Sequence, residues 1–308
     1  MKAMYLDKKA GAESLIEGQI PPPSPATGEV LVKVHATAIT PTEFQWSPTF
    51  NKPSGEPRPF PIVLSHEYSG TIEGLGPDVN DIEIGAAVYG LNDWFASGAQ
   101  AEFCVAPARA LARKPKSLDH VHAGVVPISA LTAWQGLFTR ANLLRGQRVL
   151  IHGGAGAVGI FAVQLARWRG AYVTATASTP NLDFVRSLGA DQVIDYRTTK
   201  FEHVMCDVDL VFDTVGGETL DRSWPLVKPG GKVITIAAQS EGVSEQRVRD
   251  AFMIVEADSS HLAEIAKLID AGVLRVFVTE TFSLSEAVEA YARAARGKMR
   301  GKVALEVV

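Results

Sequence analysis

The stretch RVLIHGGAGAVGIFAVQLARWRGAYV, residues 148–173, decides the fold. RVLIH is a short apolar run of the buried-strand type, and GIFAVQLARWR after it has helical spacing. Between them Gly154, Gly156 and Gly159 form a G-x-G-x-x-G loop, with Ala155, Ala157 and Val158 in the intervening places. AYVTATA, residues 171–177, supplies a second strand and closes a β-α-β unit of about thirty residues, the context the motif requires. Glycines let the backbone turn tightly and approach a pyrophosphate, while the free N–H groups at the helix start face its charge. A dinucleotide cofactor is the expected ligand.

The residues that select the dinucleotide come a little later. An NAD site usually ends the second strand with Asp or Glu, about 20 residues on, to hold the ribose 2′-hydroxyl. Here the strand runs out as TATASTPNLD, and the first acid after the glycine loop is Asp183, already past the turn. Ser178, Thr179 and Asn181 fill the place instead. A carboxylate there would repel a 2′-phosphate, whereas hydroxyls and an amide donate to it. NADP(H) is therefore the expected cofactor, with a modest preference, since no arginine stands in the turn.

Downstream, QVIDY (192–196), VDLVFDT (208–214) and KVITIAA (232–238) repeat the buried-strand texture with room for helices between. That alternation predicts an α/β domain with a doubly wound parallel sheet. Upstream, residues 117–130 have a helical pattern, and the chain before about residue 110 is β-rich. VLVKVHATAI (30–39) alternates at period two, and YSGTIEGLG and AAVYGL read as further short strands. SPTFNKPSGEPRPFP (47–61) holds five prolines, which removes both helix and regular sheet. Beyond residue 245, SSHLAEIAKLIDAG and SLSEAVEAYARAARG are amphipathic helices with serine N-caps and closing glycines, with VFVTETF as a strand between them.

Composition narrows the function classes. The 308 residues suit about two domains, and 46% hydrophobic with 21% charged residues excludes bulk disorder. Thirty basic against thirty-four acidic side chains give a net charge of -4, without the basic surplus of a nucleic-acid binder. Two cysteines, Cys104 and Cys206, exclude a disulfide framework and any all-cysteine metal centre. Both read as buried small apolar side chains. The start, MKAMYLDKKAGAES, has no signal-peptide pattern, and no apolar run is long enough to cross a bilayer. A soluble cytoplasmic protein with neither nucleic-acid nor membrane partner is expected.

In these motifs the chain resembles the zinc-independent medium-chain dehydrogenases/reductases, specifically the quinone oxidoreductase group. The likeness spans essentially the whole length. It is carried by VLSHEYSGTIEGLG, ALTAWQGL, GGAGAVGIFAVQLA, LGADQVIDY, FDTVGGETL, LVKPGGKV and FMIVEAD. The resemblance implies a GroES-like β-rich catalytic domain from 1–120 and 257–308. It also implies a Rossmann domain at 121–256, the cofactor in the intervening cleft, and a homodimer built through the FMIVEA strand. It puts the nicotinamide near Thr40, Pro41, Thr132, Phe252 and Ile254. Ribose and phosphates fall near Gly156, Ala157, Val158, Ser178, Asn181, Tyr196, Ala237 and Arg300. Gly154, Ala155, Gly159, Thr176 and Val215 complete the implied cofactor contacts. Relatives often carry lysine at the Asn181 position, a departure that weakens the NADP preference.

Zinc-dependent members of the family hold a catalytic metal through Cys, His and Cys. Where the first cysteine would fall this chain has Ile39-Thr40-Pro41-Thr42-Glu43, and where the second would fall it has Ile128 or Ser129. His66-Glu67 persists. One imidazole without thiolates does not make a tetrahedral zinc site, so no metal is expected, although Glu43 and Glu67 offer oxygen ligands. Without zinc nothing obvious polarises an alkoxide, whereas hydride transfer from NADPH to a quinone or an α,β-unsaturated carbonyl remains feasible. Trp46, Phe50, Tyr89, Asn92 and Trp94 read either as a lid over a flat ring or as packing. Thr40, Glu43, Tyr89 and Asn92 are the candidate substrate-side groups, with Thr42 a further one; Glu43 more often anchors its loop in this family. A zinc alcohol dehydrogenase with unusual ligands, and an NADPH-binding sensor without chemistry, are the competing readings.

Overall fold

The computed structural model describes residues 1–297 and 299–307. Its contacts separate two compact units: Met1–Ile128 together with the chain from Ala257 onward, and Ser129–Glu256. The sequence boundary at 120/121 thus moves to 128/129. The cause is the short helix His120–Gly124, which packs on the first unit's sheet. A side chain at Gly124 would come within 2.9 Å of the Ala36 carbonyl oxygen.

The first unit contains β1 (Lys2–Leu6), β2 (Ile16–Gln19), β3 (Glu29–Ala38), β4 (Ile62–Val63), β5 (Glu67–Leu75), β6 (Ala87–Leu91), β7 (Phe103–Pro107) and β8 (Leu111–Arg113). The second contains β9 (Arg148–Ile151), β10 (Tyr172–Ala177), β11 (Gln192–Asp195), β12 (Val208–Asp213) and β13 (Val227–Thr235). The chain then returns to the first unit with β14 (Val278–Ser283) and β15 (Lys302–Glu306). In the first unit a seven-stranded sheet runs β14-β15-β3-β5-β6-β8, with β7 also paired to β3; a small sheet runs β2-β1-β4. β3 alternates buried and half-buried residues, then becomes buried on both faces at Ala36–Ala38, where β15 pairs with it. The returning helix Ser259–Asp270 inserts Leu262, Ile265 and Ile269 at helical spacing. Its N-cap is Asp258, accepting from the His261 N–H at 2.9 Å, one residue earlier than the expected serine. Ser283 does cap as expected, in a reciprocal capping box with Glu286.

In the second unit all five strands are parallel, ordered β11-β10-β9-β12-β13. The order reverses between β9 and β12, which is the doubly wound arrangement. Val149, Leu150 and Ile151 of β9 are all buried, as a central strand covered on both faces requires. Within the chain, FMIVEAD touches the sheet through a single parallel bridge between Phe252 and Thr235. The 117–130 pattern splits into His120–Gly124 and Pro127–Trp134, because a proline disfavours helix at the residue before it and suits the first turn of the next. Cys104 is buried, and burial pushes its thiol up to about 12. Cys206 is exposed, which corrects the expectation that both were buried.

Candidate functional site

In the second unit the glycine loop leaves β9 at the point where the strand order reverses. His152 is buried, and Gly153 follows at φ 75°, in the left-handed region that favours glycine. The Gly154 N–H donates to the Thr176 carbonyl at 2.9 Å, and the Gly156 N–H to the Gly153 carbonyl at 2.9 Å. Gly156 is the N-cap of the helix Ala157–Arg169 and has no side chain to cap it, so the N–H groups of Ala157, Val158 and Gly159 remain for a ligand.

The motif's glycines are required for different reasons. A Cβ at Gly159 would sit 2.1 Å from the Gly153 carbonyl oxygen, so that glycine lets the helix pack on its own loop. A Cβ at Gly154 would meet Ala175 and Val185 at 3.0 and 3.1 Å. At Gly156 the nearest atom is 3.3 Å away and the rest is open, a cradle that a side chain would fill on the ligand's side. This geometry fits a pyrophosphate approaching the backbone.

Behind the loop lies a hydrogen-bond chain that sequence reading missed. Ser223 Oγ donates to the Thr219 carbonyl at 2.6 Å, so toward His152 Nε2, 3.0 Å away, it accepts. His152 is then the neutral Nε2–H tautomer, and its Nδ1 accepts from Thr176 Oγ1 at 3.2 Å. The Thr176 oxygen in turn accepts the Gly153 N–H at 3.2 Å. Burial holds the His152 imidazole down at about 4, so it is uncharged at neutral pH. Thr176 therefore holds the loop from below with its buried side chain. Asp213, at the end of β12, accepts from the Val215 and Gly216 N–H groups and from Thr235 Oγ1, which fixes the neighbouring loop. Val215 projects half-exposed from that loop, while Ala155 and Ala237 are buried.

The cofactor-selecting turn carries its small polar groups as expected, with one neighbour from another strand. Asn181 Nδ2 donates to Ser178 Oγ at 3.2 Å, and Tyr196 is more than half exposed nearby in the sheet order. An acid on the adjacent strand lies beside this turn. The parallel register sets Asp195 of β11 beside Ala177 of β10, and Asp195 Oδ2 accepts from Thr179 Oγ1 at 2.6 Å. That hydrogen bond holds the Asp195 carboxyl below its usual range. Reading along one strand could not reveal it.

In the first unit, Glu43 is fully buried. Its Oε1 accepts from the Ser65 N–H at 2.8 Å and lies 2.9 Å from His66 Nδ1; Tyr291 donates to Oε2 at 3.5 Å. Gln100 Nε2 ties Ser65 and Tyr291 together at 2.8 Å each. Glu43 is thus a loop anchor, not a substrate-side group. Two further candidates are corrected in the same way. Tyr89 is buried, with its hydroxyl donating to the Leu262 carbonyl at 2.6 Å. Asn92 is buried and donates to the Ser97 and Val105 carbonyls while its Oδ1 accepts from the Asp93 N–H. Phe50 packs in the core with Lys9 over its ring, whereas Trp46 and Trp94 stay half-buried in an edge-to-face pair at 5.1 Å. His66 lies 5.4 Å from Trp94.

Thr40 keeps its place as a candidate, in company the sequence did not announce. Lys302, from β15, is buried beside fully buried Glu67 and pairs with its Oε1; Lys302 Nζ is also 3.4 Å from Thr40 Oγ1. The other Glu67 oxygen accepts the Ile128 N–H at 3.0 Å. Burial pushes the Glu67 carboxyl up, against the downward pull of Lys302. Of the remaining candidates, Pro41 opens the short helix Pro41–Gln45, Thr132 is buried in Pro127–Trp134, and Ile254 is half-exposed beyond Phe252. Arg300 accepts from Thr279 Oγ1 through its carbonyl in the first unit.

These residues do not fit the family's zinc. Neither Ile39–Glu43 nor Ile128 and Ser129, where thiolates were expected, holds a cysteine; both Glu67 oxygens are taken, and among the described residues no group of three His, Cys, Asp or Glu side chains converges.

Comparison with known proteins agrees with this architecture. Residues 26–116 match the alcohol dehydrogenase GroES-like domain, and residues 188–305 match the zinc-binding dehydrogenase model. The latter stretch contains none of positions 40, 66 and 128. A probable zinc-binding oxidoreductase, mitochondrial, of Arthroderma benhamiae is 32% identical over 94% of this chain and 91% of its own. The quinone oxidoreductase of Coxiella burnetii superposes with a TM-score of 0.90 at 30% identity, covering 100% of this chain and 99% of that one. A mycobacterial protein solved in complex with NADPH superposes with a TM-score of 0.84 at 28% identity, over 99% of this chain and all of its own. The chain belongs to the medium-chain dehydrogenases/reductases, and within them to the quinone oxidoreductase group.

Proposed function

We propose that the chain is an NADPH-dependent reductase of quinones and α,β-unsaturated carbonyls that works without zinc. The observation that carries the reading is the donor set around Thr40, His66, Glu67 and Ile128, which offers no tetrahedral metal site and instead buries a lysine. The cofactor supplies a hydride, and the glycine loop with Ser178, Thr179 and Asn181 would hold its phosphates and ribose. The relative solved with NADPH supports that choice of cofactor. Asp195 beside the ribose-side turn moderates it, so NADH serves as a weaker second donor.

Acceptors that are already electron-poor suit such a site, because the anion formed on hydride addition needs hydrogen-bond donors and a proton, not a Lewis acid. The reading includes a homodimer, which light scattering of the purified protein checks. Its main test is a panel of quinones and enones mixed with the protein and NADPH; turnover of none of them would refute it. One observation favours a metal instead: His66 Nε2 is buried without a partner. About one zinc per chain, retained through dialysis, would establish that second reading.

A further inference from the structure

We propose that Thr40 and Lys302 form a two-donor site for the negatively charged oxygen of the reduced acceptor, with Glu67 holding the ammonium in place. The inference rests on the reductase function proposed above and deepens it.

Three features of the first unit lead to it. Thr40 is the N-cap residue of Pro41–Gln45, yet its side chain makes no cap hydrogen bond. Its hydroxyl oxygen instead lies 3.4 Å from Lys302 Nζ, a donor, so the hydroxyl hydrogen points to something else. Among the described residues nothing accepts it. Lys302 has the same surplus. An ammonium carries three N–H donors; one goes to Glu67 Oε1 and one to Thr40 Oγ1, which leaves the third. Glu67 has no freedom of its own, being fully buried with its second oxygen on the Ile128 N–H.

The third feature is burial. A buried ion pair seldom stabilises a fold more than well-packed apolar residues would, so this one calls for a reason besides stability. Thr40 is only partly buried, which gives the pair an outlet toward solvent. Two unspent donors on one ammonium–hydroxyl contact are suited to an oxygen on which negative charge develops.

In the step concerned, a hydride and its electron pair pass from the reduced nicotinamide to the acceptor. The cofactor is oxidised, and the acceptor, reduced by two electrons, carries an anionic oxygen. Thr40 O–H and Lys302 N–H donate to that oxygen until water protonates it. Thr40 and Lys302 are the catalytic residues; Glu67 is a positioning residue.

The test uses full-length protein with NADPH, one quinone and one enone. T40V should lower kcat by about 10²–10³-fold, the usual effect of removing one such donor. Its KM for NADPH and its Tm should stay near wild type, and T40S should recover most of the rate. Removing the ammonium alone leaves Glu67 uncompensated, so the informative variant is the pair K302M/E67Q. It should fold with a near-native Tm and still lose kcat to the same extent as T40V. A T40V protein within threefold of wild type overturns the proposal, as does a K302M/E67Q protein that keeps full activity. If the wild type reduces neither acceptor, the reductase reading itself fails, and the two failures are told apart.

Discussion

The glycines at 156 and 159 look equivalent in the sequence motif and are not equivalent in the structure, which gives a sharp prediction. A methyl at position 159 would lie 2.1 Å from the Gly153 carbonyl oxygen, so the loop must retreat by about 1 Å to restore an ordinary contact. Overpacking of that kind costs about 1–3 kcal/mol, or roughly 2–5 °C in Tm for a protein of this size. A methyl at position 156 meets nothing closer than 3.3 Å, and Gly156 has φ -76° and ψ 172°, which alanine adopts freely. Gly156→Ala should therefore change the stability of the free protein by no more than about 1 kcal/mol, because the N-cap preference for glycine over alanine opposes the gain from a stiffer unfolded chain. Its effect should appear on the ligand.

With NADPH at 100 times its Kd the wild type gains about 2.7 kcal/mol of stability. If the methyl weakens binding by about 100-fold, the same concentration gives Gly156→Ala only about 0.4 kcal/mol. Thermal melts with and without NADPH, together with titration calorimetry, read both quantities. Wild-type affinity in Gly156→Ala would refute the assignment of this loop as the pyrophosphate site. An unchanged Tm in Gly159→Ala would refute the packing argument.

Other predictions follow from the same geometry. Asp195→Asn should raise the ratio of NADPH to NADH efficiency by roughly fivefold, the value of one exposed charge, whereas Ser178→Asp should lower it; steady-state kinetics with both cofactors decides. Acid should destabilise the second unit through His152, which is neutral when folded with a pKa of about 4 and binds a proton near 6.5 when unfolded. Stability from this source is complete above pH 6.5 and is lost as pH falls toward 4, amounting to about 3 kcal/mol; a His152→Gln protein melted across that range should lack this part of the pH dependence. Lys302→Met alone should cost about 3–5 kcal/mol, because it leaves Glu67 buried and unpaired. Denaturant unfolding should show that the double change with Glu67→Gln recovers most of the loss.

What could be read from the sequence was whatever lies close along the chain. The glycine loop, its helix and the flanking strands are one continuous segment, so their roles and order emerged directly. The parallel sheet followed from repetition of short apolar runs. What could not be read was contact between distant segments. Asp195 reaches Thr179 only through strand register, and Lys302 meets Thr40 and Glu67 only because β15 returns beside β3. The same limitation explains the misplaced substrate-side groups. Tyr89 and Asn92 have the chemistry of ligand contacts, yet the Leu262 carbonyl and the Ser97 and Val105 carbonyls use it internally. Phe50, from the proline-rich segment, is likewise absorbed by the core.

The most direct measurement is NADPH consumption with quinone and enone acceptors by protein dialysed against a chelator, its zinc content determined on the same sample. Undiminished turnover with far less than one zinc per chain is the expected result. Absence of turnover with every acceptor, or activity that returns only when zinc is added back, would contradict it.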